Sequence, residues 1–205
     1  MERLLSRQRL LLIVTVALGL VLAVLIALSF NAGRPSQNQG QGQALVGGPF
    51  QLVNQEGRPV DQSVLKGKWS VVFFGFTYCP DICPATMQAV RSAVDLLGPA
   101  GKDVQIVFVS VDPGRDKPRV LKDWLDAQDL PASTLGLTGT PEQVAAAAKA
   151  YRVVYQRQGD GPDYQVNHST AAYLMNTDGR FDRVLAYGLT PEQMADQIRK
   201  GMRGD

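Results

Sequence analysis

Residues 69–84 read WSVVFFGFTYCPDICP. The run at 69–74 is apolar without alternation, which is typical of a strand covered on both faces of a sheet. A loop with two cysteines follows it, and then a helix is predicted at 84–97, with Gly98 placed to end that helix. A second apolar run at 104–111 predicts the next buried strand. These elements form a βαβ unit with parallel strands.

The rest of the folded part alternates between strand and helix signals. Thr-Pro-Glu-Gln occurs at 140–143 and at 190–193, and each copy offers a capping hydroxyl, a proline at the first helical position and a glutamine that completes a capping box. An Asp-Gly pair at 178–179 lies between two apolar runs and predicts a hairpin. The other predicted elements are a short hairpin at 50–59, a helix at 118–127, a short edge strand at 135–137, hairpin strands at 171–176 and 181–186, and a closing helix. This order predicts an α/β fold, a thioredoxin-like three-layer sandwich with a mixed central sheet.

The N-terminal residues are predicted to lie outside this sandwich. Residues 10–30 contain no charged side chain and are long enough to cross a hydrocarbon layer of about 30 Å as one transmembrane helix. Three arginines precede this run, and they keep the preceding end in the cytoplasm. We therefore predict a cytoplasmic segment at 1–9, a transmembrane anchor at 10–30, a flexible linker at 31–48 and a folded domain at 49–205 in the periplasm, tethered to a bacterial inner membrane. A cleaved signal peptide is the alternative, but its apolar core usually has only about 7–15 residues.

Charge excludes one class of partner. The chain has 21 Lys and Arg against 19 Asp and Glu, and the part after residue 30 carries 18 of each. Interleaved charges without a basic excess give no electrostatic footprint for a nucleic acid. The sequence therefore predicts no nucleic-acid binding.

Cys79 and Cys83 are the only cysteines, and they lie at the predicted strand-to-helix junction. Residues four apart share one side of a helical turn, so both sulfurs can converge on each other or on a metal ion. Amide groups at a helix start also favour the thiolate. The structural alternatives are a stabilising disulfide or two buried thiols, but closing so small a loop removes little entropy from the unfolded chain. The spacing is therefore compatible with a redox-active Cys79–Cys83 disulfide as well as with metal binding.

His168 is the only histidine, and it lies in a predicted loop before the strand at 171–176. A lone histidine in a loop is usually a surface residue, but in a thioredoxin-like arrangement this loop approaches the cysteine loop. Two thiolates and one imidazole give a soft site that suits Cu(I) and also admits Cu(II). A structural zinc site would need a fourth ligand, and the chain has no third cysteine or second histidine. We therefore predict a copper ion held by Cys79, Cys83 and His168.

Four stretches in this chain resemble, in the same order, the Sco/SenC family of copper-binding cytochrome c oxidase assembly proteins. They are FGFTYCPDICP at 74–84, VDPGRD at 111–116, GLTGTP at 136–141 and DYQVNHS at 163–169. The likeness covers about residues 45–200. It implies a copper chaperone that binds copper through the two cysteines and the histidine.

The resemblance also implies partners and neighbouring residues. Such a chaperone receives copper from a donor protein and delivers it to the dinuclear copper site of cytochrome c oxidase subunit II, whose ligand cysteines it can also reduce. Asp81 and Asp112 would lie near the metal ligands, with a turn or capping role as an equal alternative for each. Many family members have an acidic residue before the histidine, where this chain has Asn167, so the contacts that orient His168 would differ.

Three other functions stay as alternatives. The first is a periplasmic thiol-disulfide oxidoreductase that transfers no copper. The second is a peroxidase of the peroxiredoxin type, which needs a threonine three residues before the attacking cysteine, where Phe76 and Pro80 stand. The third is a structural assembly subunit in which both cysteines are dispensable. We assign no catalytic residue from the sequence.

Overall fold

The structure is a computed structural model that describes residues 46–205. The predicted cytoplasmic segment, the predicted transmembrane anchor and the predicted linker up to residue 45 lie outside the described residues. Within 46–205, no helix is both long enough and apolar enough to cross a membrane. Val46 packs against the core, and the N–H of Gly47 donates a hydrogen bond to the carbonyl of Ala150 over 3.0 Å. The chain therefore contacts the domain from Val46 onward.

Strands and α-helices alternate along the described part of the chain. The strands are β1 (Gln51–Asn54), β2 (Pro59–Asp61), β3 (Trp69–Gly75), β4 (Val104–Ser110), β5 (Leu135–Thr138), β6 (Tyr155–Gln158), β7 (Gln165–His168), β8 (Ala172–Met175) and β9 (Phe181–Leu185). The α-helices are α1 (Ile82–Leu96), α2 (Pro118–Ala127), α3 (Pro141–Ala150) and α4 (Pro191–Arg203). Two short 3-10 helices cover Gln62–Leu65 and Gly98–Asp103.

Seven strands form one mixed sheet in the order β2-β1-β5-β4-β3-β8-β9. β3, β4 and β5 run parallel, whereas β8 pairs antiparallel with β3 and β1 pairs antiparallel with β5. β3 and β4 lie near the centre and are buried along almost their whole length. This burial on both faces explains why their sequences are continuous apolar runs and do not alternate.

Helices cover both faces of this sheet. Phe73 of β3 lies next to Phe108 of β4, whose ring stacks on Trp124 of α2 with a centroid separation of 4.8 Å. Phe74 points to the opposite face, because side chains alternate along a strand, and it meets Tyr151 at the end of α3 at 5.2 Å. α1 packs against α4. The predicted thioredoxin-like sandwich with a mixed sheet is confirmed.

The strand predicted at 135–137 is present, but the prediction that it lies at an edge of the sheet is wrong. β5 lies inside the sheet between β4 and β1, because the β1–β2 hairpin adds to its outer side. Because Gly136 is the second of its four residues, β5 has only two apolar side chains that could predict its burial from the sequence. A Cβ at Gly136 would overlap Leu125 Cδ1 and would lie 2.9 Å from Leu121 Cγ, so α2 packs directly on the backbone of β5.

The segment predicted as a polar loop before residue 171 contains a hairpin. β6 and β7 form a two-stranded antiparallel sheet of their own and make no ladder with the seven-stranded sheet. Most of their side chains are polar and exposed, so no apolar alternation marks them in the sequence. His168 is therefore the last residue of a strand and not part of a loop.

α1 begins two residues before its predicted start. Its first residue is Ile82, which places Cys83 in the first turn. Pro84 fits there because the N–H groups of a first turn have no partner within the helix. Gly98 follows the helix with a φ of 61°, a left-handed conformation that glycine adopts easily, in agreement with the predicted helix end.

Both predicted capping boxes are present, with the hydroxyls of Thr140 and Thr190 accepting from the N–H of Gln143 and Gln193 at 3.3 Å. We expect Thr190→Ala to lower the free energy of unfolding by about 1 kcal/mol, because an N–H at the helix start loses its partner. Urea denaturation measures this loss. Ser133→Ala, which removes an exposed hydroxyl, is the control. An equal loss in both variants would contradict the capping role.

Candidate metal centre

The two cysteines lie between the end of β3 and the first turn of α1. Cys79 is half-buried in the connecting loop, whereas Cys83 is fully buried. The backbone N–H of Cys83 donates to Cys79 Sγ over 3.4 Å, so a helix-start amide points at the Cys79 sulfur, as the sequence predicts. Both residues are free thiols in this structure.

Gly75, the last residue of β3, leaves the space that the Cys83 sulfur occupies. A Cβ at Gly75 would lie 2.8 Å from Cys83 Sγ, 2.9 Å from Phe73 Cε1 and 3.0 Å from Phe108 Cε2. Any side chain at this position would therefore displace the thiol or both rings. The backbone of the central strand forms the floor beneath Cys83.

His168 reaches the cysteines from β7. Its Nε2 lies 3.6 Å from Cys83 Sγ, and its ring packs edge-on against Phe73 and Phe76, with centroid separations of 6.0 Å and 5.8 Å. Its Nδ1 lies 2.8 Å from the carbonyl oxygen of Ser169. Because a carbonyl only accepts hydrogen bonds, Nδ1 carries the proton and Nε2 presents a free lone pair to the sulfurs.

The three predicted ligands therefore come together. One ligand atom from each of Cys79, Cys83 and His168 lies within 4.8 Å of the other two. An ion with bonds of about 2.0–2.3 Å can reach three atoms so spaced after small side-chain rotations. Two sulfurs and one imidazole nitrogen form a soft donor set that fits copper. Among residues 46–205, no other group of three or more His, Cys, Asp or Glu side chains clusters in this way.

Burial shifts the pKa values of Cys83 and His168 in opposite directions. It raises the pKa of the Cys83 thiol, and the nearby Cys79 and Asp116 add to this effect, against a hydrogen bond from the backbone of Phe76. Burial also lowers the pKa of His168, against hydrogen bonds to backbone groups. In the metal-free protein near neutral pH, the Cys83 thiol is protonated and the imidazole is neutral. An incoming ion must displace the proton of Cys83.

Asp81, Asp112 and Asn167 are predicted to lie near the metal ligands, and they differ in burial and in contacts. Asp81 precedes α1 with an exposed side chain that makes no capping hydrogen bond. Asn167 is exposed on β7 and points away from the face that His168 occupies, because consecutive strand residues face opposite sides. Asp112 is only 4% exposed, and its carboxylate pairs with Arg115 Nε at 2.6 Å. Within 46–205, none of the three hydrogen-bonds to a metal ligand through its side chain.

Asp116 is a residue of this site to which the sequence analysis assigns no role. Its buried carboxylate accepts from the N–H and the hydroxyl of Thr77, at 3.0 and 2.6 Å, and from the hydroxyl of Ser110 at 2.6 Å. Its backbone carbonyl accepts from the hydroxyl of Thr138 at 2.8 Å. Burial raises the pKa of Asp116, whereas these hydrogen bonds favour the carboxylate. Asp116 thus fixes the loop that carries Cys79 to the ends of β4 and β5.

Comparison with known proteins assigns the family. The family model described as SCO1/SenC matches residues 38–203. Protein SenC of Rhodobacter capsulatus is 44% identical over 156 residues, which cover 76% of this chain and 70% of that protein. The chain belongs to the SCO1/SenC family. It is also 36% identical to the mitochondrial SCO1 homolog 1 of Arabidopsis thaliana over 79% of its own length, but it spans only 48% of that longer SCO1/SenC relative.

Solved SCO1/SenC structures share the fold. The crystal structure of Arabidopsis thaliana ScoI with copper bound matches with a TM-score of 0.74 and 35% identity, over 78% of this chain and 99% of that chain. BsSco is described as having a disulfide switch and as a member of the Sco family of cytochrome c oxidase assembly proteins. It matches with a TM-score of 0.64 and 29% identity, over 79% of this chain and 95% of that chain.

The role of Asp116 can be tested with Asp116→Asn, which keeps the shape but replaces an acceptor oxygen with a donor. We expect the free energy of unfolding to fall by about 1–3 kcal/mol, because a buried donor at Thr77 or Ser110 loses its acceptor. Cu(I) affinity should fall as well, because the loop that carries Cys79 loosens. Chemical denaturation and chelator competition measure the two effects. Asp126→Asn, at an exposed ion pair on α2, is the control and should leave Cu(I) affinity unchanged; unchanged affinity in Asp116→Asn would contradict the anchoring role.

Copper binding should release the proton of Cys83. Because the pKa of this thiol is raised, the affinity for copper should increase with pH across the neutral range, about tenfold per pH unit for each proton displaced. His168 adds nothing above about pH 6.5, since its pKa is lowered. Calorimetry in buffers with different ionisation enthalpies counts the protons. Cys83→Ser should release fewer protons than the wild type, and an equal count would contradict the assignment.

Proposed function

We propose that this chain is a copper chaperone that delivers copper to the dinuclear copper site of cytochrome c oxidase subunit II. The observation that carries the proposal is the convergence of two sulfurs and one imidazole nitrogen within 4.8 Å. Similarity to ScoI with copper bound supports copper as the ion. Similarity to BsSco, from a family of cytochrome c oxidase assembly proteins, supports the oxidase as the recipient.

The geometry of the ligands suits transfer. Three protein ligands leave a coordination position open, so a ligand of the recipient can bind the ion before this chain releases it. Cys79 is half-buried and Cys83 is fully buried, so the recipient would approach from the side of Cys79. The set accommodates Cu(I), which favours sulfur and few ligands, and also Cu(II).

A second candidate function is reduction of the ligand cysteines of subunit II. Both cysteines are free thiols, and the N–H of Cys83 points at Cys79 Sγ. The Cys79 thiolate would attack the disulfide of the recipient, form a mixed disulfide and release one thiolate. Cys83 would then lose its proton, attack Cys79 Sγ and release the second thiol. The recipient gains two electrons, and this chain retains a Cys79–Cys83 disulfide.

The place of action is also a proposal. The uncharged run at 10–30 would anchor the chain in a bacterial inner membrane, with the copper-binding domain in the periplasm. A copper donor protein would load the site there, and the oxidase would receive the ion at the same membrane.

A Cu(I) titration of wild type, Cys79→Ser, Cys83→Ser and His168→Ala tests the proposal. We expect one copper per wild-type chain, and each loss of a direct ligand should weaken binding by more than the roughly 10–100-fold typical of outer-shell partners. The affinities come from chelator competition. Gln158→Ala, at an exposed position of β6, is the control and should bind normally.

Transfer to the soluble copper-binding domain of subunit II completes the test. His168→Ala should deliver less copper while it still reduces a disulfide of that domain. A thiol-disulfide oxidoreductase that transfers no copper would instead give a wild-type chain that reduces the recipient without loading it, and this result would reject the chaperone.

A further inference from the structure

The hairpin that carries His168, here called the histidine hairpin and comprising residues 155–168, makes no ladder with the seven-stranded sheet. It forms a separate two-stranded sheet, and such a hairpin is marginally stable in water unless other contacts hold it. At its base, the N–H of Ser169 donates to the carbonyl of Val154 at 2.9 Å, and the N–H of Val154 donates to Ser169 Oγ at 3.1 Å. Side-chain packing therefore positions the hairpin over the cysteines: Val166 is buried in the core, and the far end of the hairpin makes further contacts.

Residues after β4 hold the far end of the hairpin. The Cζ of Arg115 lies 3.6 Å from the ring centroid of Tyr164, and Arg115 Nη1 donates to the carbonyl of Pro162 over 3.2 Å. The hydroxyl of Tyr164 donates to Asp112 Oδ1. Asp112 is buried and pairs with Arg115 Nε at 2.6 Å, so the two residues that contact the hairpin also fix each other.

The same guanidinium contacts the cysteine loop, here defined as residues 76–81. Arg115 Cζ lies 4.5 Å from the ring centroid of Tyr78, the residue before Cys79. Arg115 Nη2 is buried and makes no hydrogen bond with any part of the chain that the structure describes, so the aromatic faces are its stabilising neighbours. The side chain of Arg115 therefore touches both the loop that carries Cys79 and the hairpin that carries His168.

We propose that Arg115 is a positioning residue that holds the histidine hairpin against the cysteine loop and thereby sets how long copper stays bound. The inference rests on the proposed copper-carrying function. With the contacts intact, Nε2 of His168 stays beside the two sulfurs. When Arg115 releases the hairpin, the cysteines still bind the ion, but the nitrogen ligand moves away and copper leaves faster.

Arg115→Met and Arg157→Met in the full chain form a matched pair for the test. Arg157 also lies on the ring of Tyr164, at 3.9 Å, but its hydrogen bonds go to carbonyls within the hairpin, those of Gly159 and Gly161. Cu(I) stoichiometry and the rate of release to a chelator are measured. Both variants should bind one copper, and Arg115→Met should release it about tenfold faster, whereas Arg157→Met should stay within about twofold of wild type. A wild-type rate in Arg115→Met would overturn the proposal.

The His168→Ala background separates positioning from a general loss of structure. If Arg115 acts through His168, Arg115→Met should add nothing to the release rate in this background. An undiminished tenfold effect there would overturn the proposal.

A copper-free measurement keeps the inference independent of the proposed function. Amide hydrogen exchange of residues 165–168, which lie beside the cysteines, should speed up more in Arg115→Met than in Arg157→Met, whose lost hydrogen bonds lie at the tip of the hairpin. Unchanged exchange in Arg115→Met would overturn the proposal. If the wild type binds no copper, the chaperone function fails, and the exchange result still decides whether Arg115 holds the hairpin.

A second variant covers the risk that Arg115→Met does not fold, since it leaves the carboxylate of Asp112 buried without its cation. Tyr164→Leu removes the ring and the hydroxyl from the hairpin but keeps the Asp112–Arg115 ion pair. It should give the same faster exchange and the same faster release. Wild-type behaviour of Tyr164→Leu in both measurements would overturn the proposal.

Discussion

The close contact between the sulfur of Cys83 and the backbone of β3 at Gly75 is the constraint on which the site depends. It places one ligand at the end of a buried central strand, where the surrounding core fixes its position. The same burial keeps the thiol protonated and excludes water from one side of the site. The other two ligands are then brought to this fixed point, Cys79 by the loop that Asp116 anchors and His168 by a hairpin that makes no backbone ladder with the main sheet.

Much of this arrangement follows from local sequence patterns. The continuous apolar runs of β3 and β4 predict a buried parallel pair, and the two Thr-Pro-Glu-Gln sequences predict two helix starts that carry complete capping boxes in the structure. The cysteine spacing predicts that both sulfurs share one side of a helical turn. A single histidine and two cysteines leave few ways to build a soft metal site, which is why the cluster could be predicted although His168 lies 85 positions from Cys83.

The features that the sequence does not reveal depend on long-range contacts. β5 becomes an interior strand only because the N-terminal hairpin pairs with it, and no residue within β5 encodes that partner. Most residues of β6 and β7 are polar, and Val166 is their one aliphatic residue, so apolar alternation does not mark them. Asp116 and Arg115 look like ordinary charged residues of a turn, and their roles arise from Thr77 and Tyr164, which are distant in the sequence.

The separation of the histidine hairpin from the seven-stranded sheet has an evolutionary consequence. Insertions or deletions at its tip, at 159–164, do not shift the register of any strand in the main sheet, and lengthening a surface loop carries only a small entropic penalty. The nitrogen donor can therefore be adjusted by mutation while the sulfur donors remain fixed in the core. Selection acting on this one surface element could tune the residence time of the ion in different lineages without redesigning the fold.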